Sequence, residues 1–202
     1  MREEPRISLT EFVDVVSSSG TSKAAKIRRM KRSDYSVAGD FYKLIREHIV
    51  SIHRQNLPKA SLQTIHRQID DQKKINNYFN VTKGYSRWWG RKTLSWFDPS
   101  LSTFRRHRVE VNINPELGLE INGNPHLVKL YFKADRLARG RAEIILHLMN
   151  ITLTRLYNDN APAVALLDIR NSKLITSSPN NPNIDAALDA EMAYISAIWP
   201  QV

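Results

Sequence analysis

The sequence predicts an α+β protein: an N-terminal helical region followed by an antiparallel sheet with helices, in the order β-β-β-α-β-β-α. Three observations predict it. Apolar residues recur with helical spacing through most of the first 80 residues, the spacing changes to alternation near residue 109, and two further helical patterns interrupt and close the strand-rich part. The 202 residues suffice for a self-supporting core, and the absence of cysteine removes disulfides, thiolate metal sites and cysteine nucleophiles.

Ser8-Leu9-Thr10-Glu11 has the pattern of a capping box, and Leu9, Phe12, Val13 and Val16 follow on one helical face. That helix is expected to close at Ser17-Ser18-Ser19-Gly20. Thr21 or Ser22 then caps a second helix, Lys23 to Arg32, in which six of ten residues are basic. Asp34 is expected to cap a third, carrying Val37, Phe41, Leu44, Ile45, His48, Ile49 and Ile52 on one face. Pro58 opens a fourth, with Leu62, Ile65 and Ile69 at helical spacing and Ile75 beyond. The stretch from Gly84 to Phe97 has no clear period and stops at Asp98-Pro99.

From Val109 the pattern has period two. Val109, Val111 and Ile113, then Leu117, Leu119 and Ile121, then Leu127 to Phe132 predict a three-stranded meander with turns at Pro115-Glu116 and Asn122-Gly123. Asp135 starts a helix reaching about Tyr157. Ala163 to Ile169 and Lys173 to Thr176 read as two more strands, and Ile184, Leu188, Met192, Ile195 and Trp199 mark a last helix.

Charge divides the chain at the same place. Residues 1–108 hold 22 Lys/Arg and 10 Asp/Glu, whereas residues 109–202 hold 8 and 10, within a total of +10. The expected organisation is a basic helical region, 1–108, with an aromatic and basic segment at 84–97, and an α+β domain, 109–202. A basic half attracts polyanions, so the expected function is nucleic-acid binding, with DNA as the first candidate. The alternatives are a protein-interaction module or complex subunit that docks an acidic partner, and a metal-dependent nuclease. The N-terminus reads as neither signal nor transmembrane segment, which leads to an expectation of a cytoplasmic protein. Binding at a membrane surface is not expected.

Two segments carry the binding expectation. The first pair of helices, separated by a small-residue turn, resembles a helix-turn-helix, in which Thr21, Ser22, Lys23 and Lys26 would meet base edges. Arg28, Arg29, Lys31 and Arg32 would meet phosphates, along with Arg105, Arg106 and Arg108. In the second segment, Arg87, Arg91 and Lys92 interleave with Tyr85, Trp88, Trp89, Trp96 and Phe97. This suits either a stacking platform for bases or a set of aromatic anchors in the core.

No cofactor is implied. Gly84 to Thr93 fails as a phosphate-binding loop because its spacer is too long and two tryptophans occupy it. The six histidines, His48, His53, His66, His107, His126 and His147, lack metal-ligand spacing, and His48 and His147 read as hydrogen-bonded core residues. The order helix, three strands, helix, strand, helix is similar to that of restriction-nuclease-like cores. The resemblance implies an acid at the second strand and a Glu-x-Lys or Asp-x-Lys on the third. Glu116 and Glu120 flank the second strand and Lys129 lies on the third, but Leu127 stands where the carboxylate belongs.

Overall fold

The computed structural model describes residues 4–32, 40–135, 137–157, 160–176 and 182–202. The chain is α+β, built on two sheets. Strands β1 (Arg6–Ser8), β3 (Ser102–Arg106) and β4 (Val109–Ile113) form a small sheet in the order β1-β4-β3. Strands β2 (Leu94–Phe97), β5 (Leu117–Ile121), β6 (Asn124–Tyr131), β7 (Ala163–Asp168) and β8 (Lys173–Thr176) form a larger one in the order β2-β5-β6-β7-β8.

Both sheets are mixed, which corrects the antiparallel expectation: β1 runs parallel to β4, and β6 parallel to β7. The helix α5 (Arg139–Leu153) makes the crossover from β6 to β7 that a parallel pair requires. The meander is corrected too. The β5–β6 hairpin forms, but β4 leaves it to pair with β1 and β3.

The larger sheet is covered on both faces, which explains the near-continuous apolar run of β7. Val164 and Leu166 join Leu127 and Tyr131 in a first core with the small sheet, α1 (Leu9–Val16), α2 (Gly20–Arg32), α5 and α6 (Pro182–Ile198). Ala165, Leu167 and Ile169 join Val128, Leu130 and Phe132 in a second core. That core is roofed by α3 (Lys43–Arg54), a 3-10 helix (Lys59–Gln68) and α4 (Gln72–Trp89). β6 and β7 thus send alternate side chains into different cores.

The capping box at Ser8 and Glu11 forms as expected. Gly20, expected to end α1, instead begins α2 with φ +54. The expected cap Asp34 and Val37 lie outside the described residues; α3 itself begins at Lys43 and buries Ile45, Ile49 and Ile52. The fourth expected helix is a 3-10 turn series from Lys59, and a separate helix, α4, starts after Asp71, whose carboxylate accepts from the Lys73 and Lys74 amides. It runs through Gly84, where the sequence showed no period. Gly84 is required there because a Cβ would stand 2.1 Å from the Ile169 carbonyl oxygen.

The change of charge at residue 108 is not a packing boundary. His107 and Arg108, with φ of 49 and 61, form the turn that joins β3 to its partner β4. Both cores combine residues from before and after it, Phe12 with Val111 in one and Ile49 with Leu117 in the other.

Candidate functional site

Helix α2 buries Ile27 against the first core and lies along α6, and this contact uses up part of its charge. Lys23 pairs with Glu191 at 2.7 Å, its side chain 14% exposed. Lys26 donates to the Asp14 carbonyl and the Ser18 hydroxyl, and Lys31 to the carbonyls of Trp199 and Val202. Two of the four side chains assigned to base reading, Lys23 and Lys26, therefore bind the protein itself, and only Thr21 and Ser22 stay exposed. Arg28, Arg29 and Arg32 are exposed with no ion pair among the described residues.

The aromatic segment divides in a similar way. Trp88 is 3% exposed and belongs to the second core with the fully buried Tyr85. Trp89 is half-buried, its ring 4.6 Å from that of His53, and the Arg54 guanidinium lies 6.0 Å from the Trp96 ring. Lys92 donates to the Trp88 carbonyl oxygen and sits over the Trp88 ring. Trp88 is therefore no stacking platform: the helical period of α4 turns it inward. Arg87 and Arg91 remain exposed and unpaired among the described residues.

In the β3–β4 hairpin, Arg105 pairs with Glu110 at 2.8 Å, and Arg106 binds both carboxylate oxygens of Asp185, at 3.0 and 3.1 Å. The Arg106 hydrogen bonds hold the Asp185 carboxyl below its ordinary range. Only Arg108 of this group is exposed and unpaired among the described residues. The free cations do not converge, because α2 and the hairpin belong to the first core and α4 to the second, on opposite faces of the larger sheet.

Charged groups do converge elsewhere, around a cavity of about 800 Å3. Glu116 at the head of β5 meets Lys129 of β6 at 2.6 Å, both side chains nearly buried, and its other oxygen accepts from the Leu130 amide at 2.8 Å. Lys129 also donates to the Asn114 carbonyl. Asp14 of α1 accepts from Lys133 at 2.8 Å and lies 3.4 Å from Arg141 of α5. Glu120, the other acid of the nuclease reading, is exposed opposite Pro125 and does not line the cavity. Among the described residues no group of three or more His, Asp or Glu is arranged to share a metal ion.

His48 is half-buried and donates to the Ser61 carbonyl at 2.9 Å, while His147 is buried with Nε2 at 3.6 Å from Asp185. Sequence reasoning missed Asp14, Lys133 and Arg141, which are far apart along the chain and isolated in local pattern. It also passed over Lys73 and Lys83, for which a signal existed: α4 contains no acidic residue.

Among the described residues no helix is long and apolar enough to cross a membrane. No family model matches the chain, and no curated protein matches it.

Proposed function

We propose that this protein binds nucleic acid, DNA first, through phosphate contacts. The observation that carries the reading is that the fold leaves Arg28, Arg29, Arg32, Arg87, Arg91 and Arg108 exposed and unpaired among the described residues, in a chain of net charge +10. An arginine that stabilises no internal carboxylate is available to displace counterions from a polyanion. Lys23, Lys26, Lys31, Lys92, Arg105 and Arg106, bound within the protein, contribute to folding instead. Titration of labelled duplexes at several salt concentrations tests the reading. Because the exposed arginines lie on opposite sides of the larger sheet, one duplex meets about three of them, and affinity falls on the order of fortyfold between ~50 and ~200 mM salt. Binding that is absent at low salt, or present but insensitive to salt, removes it; capture of acidic protein in place of nucleic acid favours the interaction-module alternative.

The nuclease reading keeps one observation in its favour. The parallel β6–β7 pair follows a β5–β6 hairpin, and Glu116 and Lys129 meet at the cavity there. Cleavage of plasmid with magnesium or manganese that is lost in a Lys129→Ala variant still folded under the assay conditions would support it; intact plasmid with both ions would end it.

A further inference from the structure

We propose that the outward face of α4 is where the nucleic acid docks, and that the form it accepts is duplex DNA; this rests on the nucleic-acid reading above. Residues 48–97 contain nine Lys/Arg and only two Asp/Glu, so that this quarter of the chain holds +7 of the +10. They fold largely into one layer, the end of α3, the 3-10 helix and α4, packed over the second core. This layer is therefore strongly basic, on the face of the larger sheet opposite α2.

Within that layer α4 is strictly two-faced. Tyr78, Val81, Thr82, Tyr85 and Trp88 are buried. Lys73, Asn76, Asn80, Lys83 and Arg87, at i, i+3, i+7, i+10 and i+14, are all exposed and trace the other face. Lys83 and Arg87, with Arg91 just past the Gly90 cap, have no ion pair or side-chain hydrogen bond among the described residues. The acids nearest in sequence are Asp70 and Asp71 at the N-terminal end, where Asp71 caps the helix, and Asp98 beyond the C-terminal end, which pairs with Arg54 at 2.9 Å. At Asn80 the side-chain amide donates to the Asn76 carbonyl, which leaves its own oxygen as an outward acceptor.

Cations flanking amides along an exposed helix about 27 Å long suit a groove bounded by phosphates. The B-DNA major groove, about 12 Å wide, admits a helix, whereas the deep and narrow A-form groove of double-stranded RNA does not. Single strands are bound by aromatic platforms, and the segment that could have supplied one turns Tyr85 and Trp88 into the core. Phe79 is the exposed aromatic left on α4, while the half-buried Trp89 packs on His53 and Trp96 carries the Arg54 guanidinium, so these rings are already occupied. Arg155, just past α5, and Lys173 of β8 are exposed, lie outside α2, α4 and the β3–β4 hairpin, and serve as an internal comparison.

The test uses the full chain and fluorescence anisotropy with a mixed-sequence DNA duplex, the matching RNA duplex and the single strands. Two double variants are compared, Lys83→Glu with Arg87→Glu and Arg155→Glu with Lys173→Glu, after confirming that each melts as the parent does. If the α4 pair perturbs melting, Lys83→Gln with Arg87→Gln takes its place. The expected result is duplex DNA bound in preference to RNA and single strands, at least about tenfold weaker in the α4 variant, with the salt slope reduced by about 1.8 for two lost phosphate contacts. The Arg155 and Lys173 variant keeps nearly the parental affinity. An α4 variant that binds DNA like the parent, or a parent that prefers RNA or single strands, overturns the inference while leaving nucleic-acid binding standing. A parent that binds none of the probes overturns both.

Discussion

His53 Nε2 and the Tyr85 hydroxyl lie 2.7 Å apart in the buried contact between α3 and α4. Burial lowers the His53 pKa to about 4, from 6.5, and raises that of Tyr85 well above its usual value. Above pH 6.5 the imidazole is neutral whether the chain is folded or not. Between pH 6.5 and about 4 the unfolded chain takes up a proton that the folded protein refuses, so stability falls as pH falls. The loss contributed by this one residue is about 3 kcal/mol across the window. Urea unfolding at pH 7 and pH 4.5 should show a steeper decline in the parent than in His53→Gln; equal declines would dissociate the effect from His53.

Gly84→Ala should destabilise the protein even though alanine favours a helix by about 1 kcal/mol. The added methyl would meet the Ile169 carbonyl at 2.1 Å, in a contact where Ser172 Oγ already donates to the Gly84 carbonyl. A net loss of about 1–3 kcal/mol follows from overpacking, measured as a lower denaturation midpoint. A raised midpoint would mean that α4 can lift away from the end of β7 at little cost.

Trp88→Ala should cost about 3–5 kcal/mol, because it empties a site in the second core between Tyr85 and the Lys92 stem. Under conditions where the variant is still folded, its affinity for nucleic acid should match the parent's. Weakened binding at unchanged stability would return Trp88 to the binding surface.

Lys129→Met should cost about 3–5 kcal/mol by leaving the Glu116 carboxylate nearly buried with only the Leu130 amide as partner. Lys129→Met combined with Glu116→Leu should recover part of that loss, as expected for a pair whose desolvation offsets much of its attraction. No recovery would point to a role of Glu116 beyond this pairing.

Residues 109–202 expressed alone should not melt cooperatively. The cut removes both partners of β4, the β2 partner of β5 and the whole roof of the second core. Dye binding to exposed apolar surface is the expected sign. A fragment with a sharp thermal transition would restore residue 108 as a domain boundary.

The features legible in the sequence were those written in neighbouring residues. The capping box at Ser8 and Glu11, the inward face of α3, the alternation of β4 and β5, and the apolar run of β7 all express a local period, and each appears as an element in the structure. The period identifies side chains that avoid water without naming the surface that covers them. For that reason the exchange of β4 from the expected meander to β1 and β3 was decided only in three dimensions, as was the parallel pairing of β6 with β7. The same holds for the cations. Lys23 and Arg28 are alike in sequence, but Lys23 meets Glu191, 168 residues away, and Arg28 meets no carboxylate among the described residues. The charged cavity brings Asp14 to Lys133 across 119 residues for the same reason. Composition determines how much charge the chain carries, and only packing determines which charges are neutralised within the fold and which are left facing water.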